Sequence, residues 1–246
     1  MAQLGFGIDI GGTGMKAAIV DLDTGELRSD RVRFPTPRPA VAEAMAEVAA
    51  NLVRELSWSA PLGVGFPGIV RHGIIGSAVN LDPSWVGVDA DRVFTDACGV
   101  DVAMVNDADA AGLAEMRWGA GRGIDGVVLV LTFGTGIGSA LFVDGTLVPN
   151  TELGHLELDG SDAELRAAAI VREREGIGWK EWAPRVERYL RHVEMLFSPD
   201  LFIVGGGASK VADKWLPRIS IDTPIVPAAM ANNAGIVGAA LVARDA

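Results

Sequence analysis

Two segments of this chain, each built around a Gly-Thr-Gly turn, resemble each other closely enough to constrain the fold. The stretch GTGMKAAIVDLDTGEL, which begins at Gly12, aligns with GTGIGSALFVDGTL, which begins at Gly134, if a gap of two residues is allowed. Each pattern predicts a strand, a glycine turn, a second strand, an acidic-glycine turn and a third strand. Such a pair of hairpins suggests two related lobes that face each other across a cleft. The alternative is a chance likeness between two glycine-turn hairpins, because short motifs carry a false-positive risk.

Strand-like and helix-like segments alternate along the rest of the chain. The strand-like segments are FGIDI, KAAIVDL, RVRF, PLGVGFPGIV, VDVAMV, GVVLVLTF, GSALFVDGTLV and DLFIV. The segments with helical spacing are PRPAVAEAMAEVAANLVREL, ADAAGLAEMRW, DAELRAAAIVRERE, WKEWAPRVERYLRHVEMLF and AGIVGAALVARD. This alternation predicts an α/β fold.

The composition is typical of a globular protein with one large domain or two modest lobes. The 246 residues are 49% hydrophobic and 22% charged, and the net charge of −11 disfavours non-specific attraction to nucleic acid or to an anionic membrane. The single cysteine, Cys98, excludes an internal disulfide and a thiolate metal cluster, and it fits a reducing cytoplasm. The first residues show no signal-peptide pattern. We therefore expect a cytoplasmic protein that binds neither nucleic acid nor a membrane.

One uncharged stretch, residues 126–143, is long enough to raise the question of a membrane span. Glycines and hydroxyl residues interrupt its middle, where the second Gly-Thr-Gly turn lies. The prediction is therefore two buried strands that meet at a turn.

The first glycine turn contains the residue types of a phosphate site. The stretch from Gly12 to Ala17 fits the dinucleotide pattern G-x-G-x-x-A, but the segment before the next turn is too short for a crossover helix. Lys16 is not followed by Ser or Thr, so the turn is not a Walker A loop. Its backbone N–H groups, the Thr13 hydroxyl and the Lys16 ammonium can face an anion, and Asp9 suggests a phosphoryl group linked through Mg²⁺. Alternatively, Asp9 caps the backbone of the turn.

Five motifs occur in the order that characterises one kinase family. The motifs are DIGGTGMK, NDADAAGLAE, LTFGTGIGS, NTELGHLEL and IVGGG, and with them the chain resembles the ROK family of sugar kinases over essentially its whole length. Within that family it most resembles the actinobacterial group that uses polyphosphate as well as ATP to phosphorylate glucose, through stretches such as GTLVPNTELGHLE and SPDLFIVGGGASKVADKW. The resemblance implies an actin-like ATPase (ribonuclease H-like) fold with two lobes around a central cleft. We place residues 1–106 in a small α/β lobe, completed by a C-terminal helix at 234–246, and residues 107–233 in a large α/β lobe.

The resemblance also implies a role for each matching residue. Asp107 matches the catalytic base and Asn106 its sugar-binding neighbour, although either side chain can instead simply cap the following helix. The other sugar-binding matches are Glu152 and His155 of the E-x-G-H stretch, Gly68, Asn80, and one glutamate after the histidine, for which Glu164 is the first candidate and Glu157 the second. The phosphate-binding matches are Asp9, Gly11, Gly12, Thr13 and Lys16 in the first turn, Thr132, Gly134, Thr135 and Gly136 in the second, and Gly205, Gly206 and Gly207 beside the nucleotide or the distal phosphates.

The implied reaction is Mg²⁺-dependent transfer of a phosphoryl group from polyphosphate, ATP or both to the 6-hydroxyl of glucose, and the implied assembly is a homodimer. The sequence leaves open whether mannose is also an acceptor. A strictly ATP-dependent glucokinase or another hexokinase is the alternative enzyme. The alternatives that are not kinases are a sugar-responsive regulator, which would carry a DNA-binding segment before the first strand, and a nucleotide-dependent assembly protein. The chain has LELDGSDAELRAAA where many family members carry a cysteine-rich zinc loop, so we expect no structural zinc.

The segment 166–218 reverses the sign of the overall charge. It carries ten Lys or Arg residues against seven Asp or Glu residues. Such a surplus suits a polyanionic substrate. It equally suits the solvated face of helices, with Glu181–Arg185 and Glu187–Arg191 as i,i+4 ion pairs. Trp179 in the same segment is interpreted as helix packing.

Overall fold

A computed structural model of the chain describes residues 2–78 and 81–245. The chain divides into two compact units, which are unit 1 (Met1–Ala114 and Asn233–Ala246) and unit 2 (Glu115–Asn232). The division lies inside a helix that begins at Asp107, and the final helix belongs to unit 1.

The regular elements of the described residues alternate between strands and helices. The α-helices are α1 (Ala42–Glu55), α2 (Ala90–Cys98), α3 (Asp107–Trp118), α4 (Glu164–Ala167), α5 (Ala169–Glu175), α6 (Trp179–Phe197) and α7 (Ala234–Asp245). The strands of unit 1 are β1 (Leu4–Gly11), β2 (Gly14–Asp21), β3 (Val32–Phe34), β4 (Leu62–Phe66), β5 (Val70–Arg71), β6 (Ile74–Ile75) and β7 (Val102–Asn106). The strands of unit 2 are β8 (Val127–Phe133), β9 (Ile137–Val143), β10 (Thr146–Val148), β11 (Glu157–Leu158), β12 (Ser161–Asp162), β13 (Leu201–Gly205) and β14 (Ile225–Pro227).

The main sheets of the two units share one strand order in the described residues. The order is β3-β2-β1-β4-β7 in unit 1 and β10-β9-β8-β13-β14 in unit 2. In both sheets the third strand of that order pairs antiparallel with its hairpin partner and parallel with a strand from later in the chain. The likeness between the two Gly-Thr-Gly segments therefore reflects one topology used twice. The uncharged stretch 126–143 forms the strands β8 and β9 with a turn between them, as predicted.

Strand β1 separates its apolar side chains from its glycines by simple alternation. Phe6, Ile8 and Ile10 are buried, and they belong to one hydrophobic core with apolar residues of α1 and α2. Because successive side chains of a strand point to opposite faces, the glycines and Asp9 of β1 occupy the other face of the sheet.

Helix α7 packs its backbone directly against this second face. A Cβ atom on Gly7 would lie 1.8 Å from the carbonyl oxygen of Ile236, and one on Gly63 of β4 would lie 1.8 Å from the carbonyl oxygen of Ala239. No side chain fits in that space, so the glycines determine how closely the helix approaches the sheet. Unit 1 therefore combines strands from the first part of the chain with the last helix.

The core of unit 2 centres on Phe133, the last residue of β8. Its ring makes edge contacts with Trp182 of α6 and Trp215, at centroid distances of 5.9 Å for each. The indole N–H of Trp182 donates to the carbonyl oxygen of Ala168, so the buried polar atom of this large side chain is satisfied. The packing anchors the residue that immediately precedes the second glycine turn.

Several elements of the described structure depart from the sequence-based expectations. The pattern DAELRAAAIVRERE forms two helices instead of one, because Ala168 adopts an extended conformation with ψ of 150°. Helix α2 was not predicted, although Asp89 accepts a hydrogen bond as its N-cap and Gly99 ends it with φ of 72°. Strand β14 was also not predicted. Among the helices of residues 2–78 and 81–245, none combines the length and the apolar character needed to cross a membrane.

Candidate functional site

The first glycine turn closes the hairpin of β1 and β2. Its register pairs Gly11 with Gly14 and Asp9 with Lys16, so the acidic and basic side chains lie on the same face beside the turn. The Nζ atom of Lys16 lies 3.3 Å from Oδ2 of Asp9. Among the described residues, the side-chain hydrogen bond of Asp9 is to this lysine, so the carboxylate does not cap the turn backbone.

Arg33 is a second cation at this turn that the sequence analysis missed. It lies opposite Lys16 in the pairing of β2 with β3. Its guanidinium donates to the carbonyl oxygen of Thr13 at 2.7 Å, and a Cβ atom on Gly14 would lie 2.5 Å from its Nε atom. The guanidinium therefore packs on the turn itself. The alternation in RVRF was a usable signal, but only the strand register shows which of its arginines faces the turn.

The parallel strands β1, β4 and β7 end together at one edge of the unit 1 sheet. The register pairs Asp9 with Gly65 and Gly65 with Val105, one residue before Asn106. Because carboxyl ends of parallel strands meet at a common edge, Asp9, Asn106 and the next residue, Asp107, occupy the same edge. The sequence analysis assigned Asp9 to phosphate binding and Asn106 and Asp107 to the sugar, and the fold brings all three to one edge of the sheet.

Asn106 makes three hydrogen bonds to nearby backbone groups. Its Oδ1 atom accepts hydrogen bonds from the backbone N–H groups of Ala108 and Asp109, each at 2.9 Å, and its Nδ2 atom donates to the carbonyl oxygen of Gly68 at 3.0 Å. The side chain thus caps α3 and fixes the position of Gly68, which was predicted to bind sugar. Asn106 therefore caps the helix, and its sugar-binding role stays a prediction.

Asp107 is the first residue of α3, where the helix dipole favours an ionised carboxylate. With Asn106 as the cap, the Asp107 side chain does not have to serve as one. Asn80, another predicted sugar-binding residue, lies outside the described residues.

The second glycine turn and the triple glycine lie side by side in unit 2. Strand β13 pairs with β8 so that Gly205 lies opposite Thr132. Gly206 has φ of 75°, and a Cβ atom there would lie 2.5 Å from the carbonyl oxygen of Phe133. Within the turn, the N–H of Gly134 donates to the carbonyl oxygen of Gly136 at 3.0 Å. Two of the predicted phosphate elements are therefore in backbone contact, and Gly207 begins a 3₁₀ helix that extends from Gly207 to Lys214.

The E-x-G-H stretch forms a loop held against β9. The hydroxyl of Ser139 donates to the carbonyl oxygen of Thr151 at 2.7 Å, and it accepts from the N–H of Leu153 at 3.0 Å. A Cβ atom on Gly154 would lie 2.2 Å from the carbonyl oxygen of Ile137. The glycine therefore allows the loop to approach the strand, and it places Glu152 and His155 on either side of that contact.

His155 is surrounded by carboxylates. Its Nδ1 atom lies 2.9 Å from Oδ2 of Asp162 and 4.0 Å from Oε1 of Glu164. The hydrogen bond to Asp162 raises the pKa of His155; burial opposes this rise, while Glu164 and Glu152 add to it. With Nδ1–H directed at Asp162, the Nε2 atom accepts a hydrogen bond from a ligand when the ring is neutral and donates one when it is protonated.

Glu152 is a partly buried carboxylate, and this burial raises its pKa. The positive charge of His155 acts in the opposite direction, and the negative charge of Glu164 adds to the rise. The pair of Glu152 and His155 thus offers both donors and acceptors, which suits neighbouring hydroxyl groups of a sugar.

Glu164 links the histidine to the second glycine turn. Its Oε2 atom accepts from the N–H of Ile137 at 3.0 Å, and a Cβ atom on Gly136 would lie 2.5 Å from the same oxygen. Glu157, the second candidate, lies on β11 opposite Asp162 and makes no ion pair with His155 within 4.0 Å among the described residues. The structure therefore favours Glu164 over Glu157 as part of this cluster. Asp162 was not foreseen, because no motif in the sequence indicates the β11–β12 hairpin.

The chain matches known proteins over nearly its whole length. Residues 5–175 match the ROK family. The chain is 53% identical to a polyphosphate glucokinase of Mycobacterium tuberculosis (strain CDC 1551 / Oshkosh) over 96% of this chain and 90% of that protein, and 50% identical to the polyphosphate glucokinase of Mycobacterium leprae (strain TN) over 96% of this chain and 74% of that protein. Its structure is similar to the inorganic polyphosphate/ATP-glucomannokinase of Arthrobacter sp. strain KM, with a TM-score of 0.94 and 56% identity over 98% of each chain.

These similarities agree with the motifs and with the topology of the two sheets. The α/β fold is that of the actin-like ATPases, as predicted from the sequence. The match to the family covers both glycine turns, the Asn106–Asp107 pair and the E-x-G-H loop. This chain is a member of the ROK family.

Proposed function

We propose that the chain is a polyphosphate-dependent glucokinase, which transfers a phosphoryl group from inorganic polyphosphate, and also from ATP, to the 6-hydroxyl of glucose. The observation that carries the proposal is identity above 50% to relatives named for this activity, across nearly the whole chain. Both glycine turns, the Asn106–Asp107 pair and the E-x-G-H loop are present in those matched residues. A role for mannose follows from the name of the Arthrobacter enzyme.

In this proposal Asp107 acts as the catalytic base. It accepts the proton of the sugar hydroxyl as that oxygen forms its bond to phosphorus, and the bond from phosphorus to the remaining donor chain breaks. The first turn of α3 favours its ionised form, and the Asn106 cap keeps the start of that helix in place. Asn106 also positions Gly68.

Glu152 and His155 bind sugar hydroxyls in this proposal. The Asp162 carboxylate orients the imidazole through Nδ1, which leaves Nε2 for the ligand. Glu164 holds the turn residue Ile137 and faces His155, so it keeps the histidine and the second glycine turn in a fixed relation.

The residues at the first turn fit Mg²⁺ that arrives with the phosphate donor. Asp9 supplies one partly exposed carboxylate, and Gly235 leaves space beside it, since a Cβ atom there would lie 3.1 Å from Oδ1. Mg²⁺ is commonly held by one or two carboxylates together with substrate phosphates. When bound, the ion neutralises charge that develops on the donor oxygens, and Lys16 and Arg33 add positive charge at the same turn. The homodimer and the cytoplasmic location implied by the resemblance belong to the proposal as well.

A coupled assay for glucose 6-phosphate, run in parallel with polyphosphate and with ATP, tests this function. We expect product with both donors, and we expect Asp107→Asn to lower kcat by about 10²–10⁴-fold, the usual contribution of a general base. Asp101→Asn is the matched control, because Asp101 is exposed and precedes β7 where Asp107 follows it. Product with ATP alone would identify a strictly ATP-dependent glucokinase. Turnover of Asp107→Asn at the parent rate would refute the assignment of the base.

A further inference from the structure

A groove on unit 2 collects basic side chains near the start of α6. Its volume is about 560 Å³, and its walls include Gly178, Trp179, Lys180, Asp213, Lys214 and Arg218. We call this feature the basic groove. Asp213 is the acidic residue of the lining, so the lining carries a net positive charge on a chain whose total charge is −11.

The cations of the basic groove differ from the ion-paired arginines on the exposed side of α6. Among the described residues, Lys180, Lys214 and Arg218 have no carboxylate oxygen within 4.0 Å. Arg218 donates through Nε to the carbonyl oxygen of Lys214 at 3.2 Å, which fixes its guanidinium at the end of the 3₁₀ helix. These charges are exposed and are not neutralised by the protein.

By contrast, the arginines on the exposed side of α6 are neutralised. Arg185 pairs with Glu175 at 2.7 Å, and Arg188 pairs with Asp159. The predicted Glu187–Arg191 pair forms at 3.1 Å, but the predicted Glu181–Arg185 pair does not, because Glu181 accepts from the N–H of Gly178. A solvated helix face with ion pairs therefore accounts for the arginines of α6. It does not account for the cations of the basic groove.

Both walls of the basic groove are connected to the phosphate elements of unit 2. On one side, the N–H of Ile170 in α5 donates to the carbonyl oxygen of Gly134 at 3.0 Å, and Arg172 of the same helix lies over the ring of Trp179 at 4.3 Å. On the other side, the 3₁₀ helix begins at Gly207 and ends at Lys214. At about 2 Å per residue, these eight residues span at most about 16 Å. A linear polyanion can cover such a distance with successive charged groups.

Arg172 extends the positive charge from the basic groove toward the glycine turn. The contact with Trp179 is a cation–π interaction, which holds the guanidinium in place without neutralising it. Its contact with Glu173 is a long one of 3.5 Å, between neighbouring residues. Arg172 therefore adds one cation to the wall that connects the second glycine turn to the basic groove.

From these observations we infer that the basic groove binds the distal phosphates of a long polyphosphate chain whose terminal phosphoryl group is at the second glycine turn. This inference rests on the proposed function. It predicts that the groove contributes to affinity for long chains and contributes nothing to a donor that is too short to reach it. Binding through several exposed cations also predicts a steep dependence on salt, because each neutralised phosphate releases counterions.

The test is a triple variant, Lys180→Gln, Lys214→Gln and Arg218→Gln, assayed with long-chain polyphosphate, tripolyphosphate and ATP. We expect the KM for long-chain polyphosphate to rise about tenfold or more, and its log–log dependence on salt to fall by about one for each cation removed. The KM values for tripolyphosphate, ATP and glucose should remain within about twofold. Because all three side chains are exposed, the melting temperature should not change.

Arg122→Gln provides the matched control. Arg122 is an exposed cation of unit 2 that also lacks a carboxylate within 4.0 Å among the described residues, and it lies outside the basic groove. This variant should keep the KM of the parent for every donor. Direct binding of fluorescently labelled long-chain polyphosphate in the absence of glucose gives a second readout, with a Kd about tenfold higher for the triple variant alone.

Three outcomes overturn the inference, and they are distinguishable. An unchanged KM for long-chain polyphosphate in the triple variant, with an active parent, refutes the groove but leaves the proposed function intact. An equal rise in the KM for ATP assigns the groove to any anionic donor instead of long chains. A parent that forms no product from polyphosphate refutes the proposed function, and the inference with it.

Discussion

The imidazole of His155 is surrounded by negative charge. It is hydrogen-bonded to the carboxylate of Asp162, and the carboxylates of Glu164 and Glu152 lie close enough to affect its pKa. The hydrogen bond to Asp162 is the largest cause of its raised pKa. The charged ring is therefore favoured to a higher pH than for an ordinary histidine, whose pKa is about 6.5.

Substitution Asp162→Asn should lower the pKa of His155, because it removes the partner of Nδ1 and its charge. A ¹H NMR titration of the His155 ring in the parent and in the variant measures the shift. Asp125→Asn, at an exposed position of unit 2, should leave the titration unchanged. If the two variants titrate alike, Asp162 does not control this histidine.

The sign of the stability effect follows from the raised pKa in the folded state. The stabilisation from the charged pair is complete below the unfolded pKa of about 6.5, and it is lost as the pH rises through the higher folded value. The free energy of unfolding of the parent, relative to Asp162→Asn, should therefore decrease across that pH window. Because both partners are more than a third exposed, we expect a small effect.

The motifs indicated candidate site residues but not the side chains that contact them or the turns. The motifs identified Asp9, Asn106 and His155, but they did not identify Arg33 or Asp162. A motif indicates the residue types at a site. The contact of Arg33 with Thr13 depends instead on the register between β2 and β3, and the contact of Asp162 with His155 depends on the β11–β12 hairpin, which no sequence pattern predicts.

At the level of elements, the packing of α7 on β1 and β4 depends on the absence of side chains. Gly7→Ala would place a Cβ atom 1.8 Å from a backbone carbonyl, so the helix would have to move. We expect the free energy of unfolding to fall by about 3 kcal/mol or more, at the upper end of overpacking effects. Urea denaturation followed by circular dichroism measures this change.

Gly12→Ala is the matched control for that substitution. A Cβ atom on Gly12 would have no heavy atom within 4 Å, and Gly12 does not have a positive φ. The free energy of unfolding should change by less than about 1 kcal/mol. Equal losses in the two variants would show that close packing under α7 is not the cause.

Most long elements could be predicted from periodicity, and the failures have local causes. The fourteen-residue helix α1 and the nineteen-residue helix α6 were both expected. The interruption at Ala168 was not, because alanine favours helix and the extended backbone there is imposed by packing, in which the Ala168 carbonyl accepts from Trp182. The short elements α2 and β14 provide too few turns or residues for a periodic signal.

For the whole molecule, unit 1 is discontinuous in sequence, because α7 follows unit 2. Ile236, Val237 and Leu241 of α7 are buried, and burying each such side chain contributes about 1.5–3 kcal/mol. Their sum is comparable to the whole stability of an ordinary domain, about 5–15 kcal/mol. The last helix is thus as much a part of the unit 1 core as its strands are.

A chain that ends at Asn233 should therefore fail to form a stable unit 1. Hydrogen exchange measured by mass spectrometry should show loss of protection in β1, β4 and β7, with protection retained in β8 and β13 of unit 2 as the internal control. Addition of a synthetic peptide of residues 234–245 should restore part of the protection. Full protection of β1 in the shortened chain would contradict this prediction.

At this scale the α/β class could be predicted from the alternation of strand-like and helix-like segments, and the two Gly-Thr-Gly segments each indicated a hairpin. The parallel pairing of β4 with β1 and of β13 with β8 was not visible in the hairpins themselves. The resemblance to a known family supplied that topology, since strand order depends on contacts between residues that are distant in sequence.

The glycine face of the unit 1 sheet has a consequence during protein synthesis. The 118 residues of unit 2 lie between the two sequence segments of unit 1, so at about 5–20 residues per second the ribosome needs roughly 6–24 s to add them. During that interval the surface destined for α7 is open to water and to other nascent chains. On this surface the backbone is exposed in place of apolar side chains at Gly5, Gly7 and Gly63. Until its last segment is made, an unfinished polypeptide therefore exposes less apolar surface on this face than it would with side chains at these glycine positions.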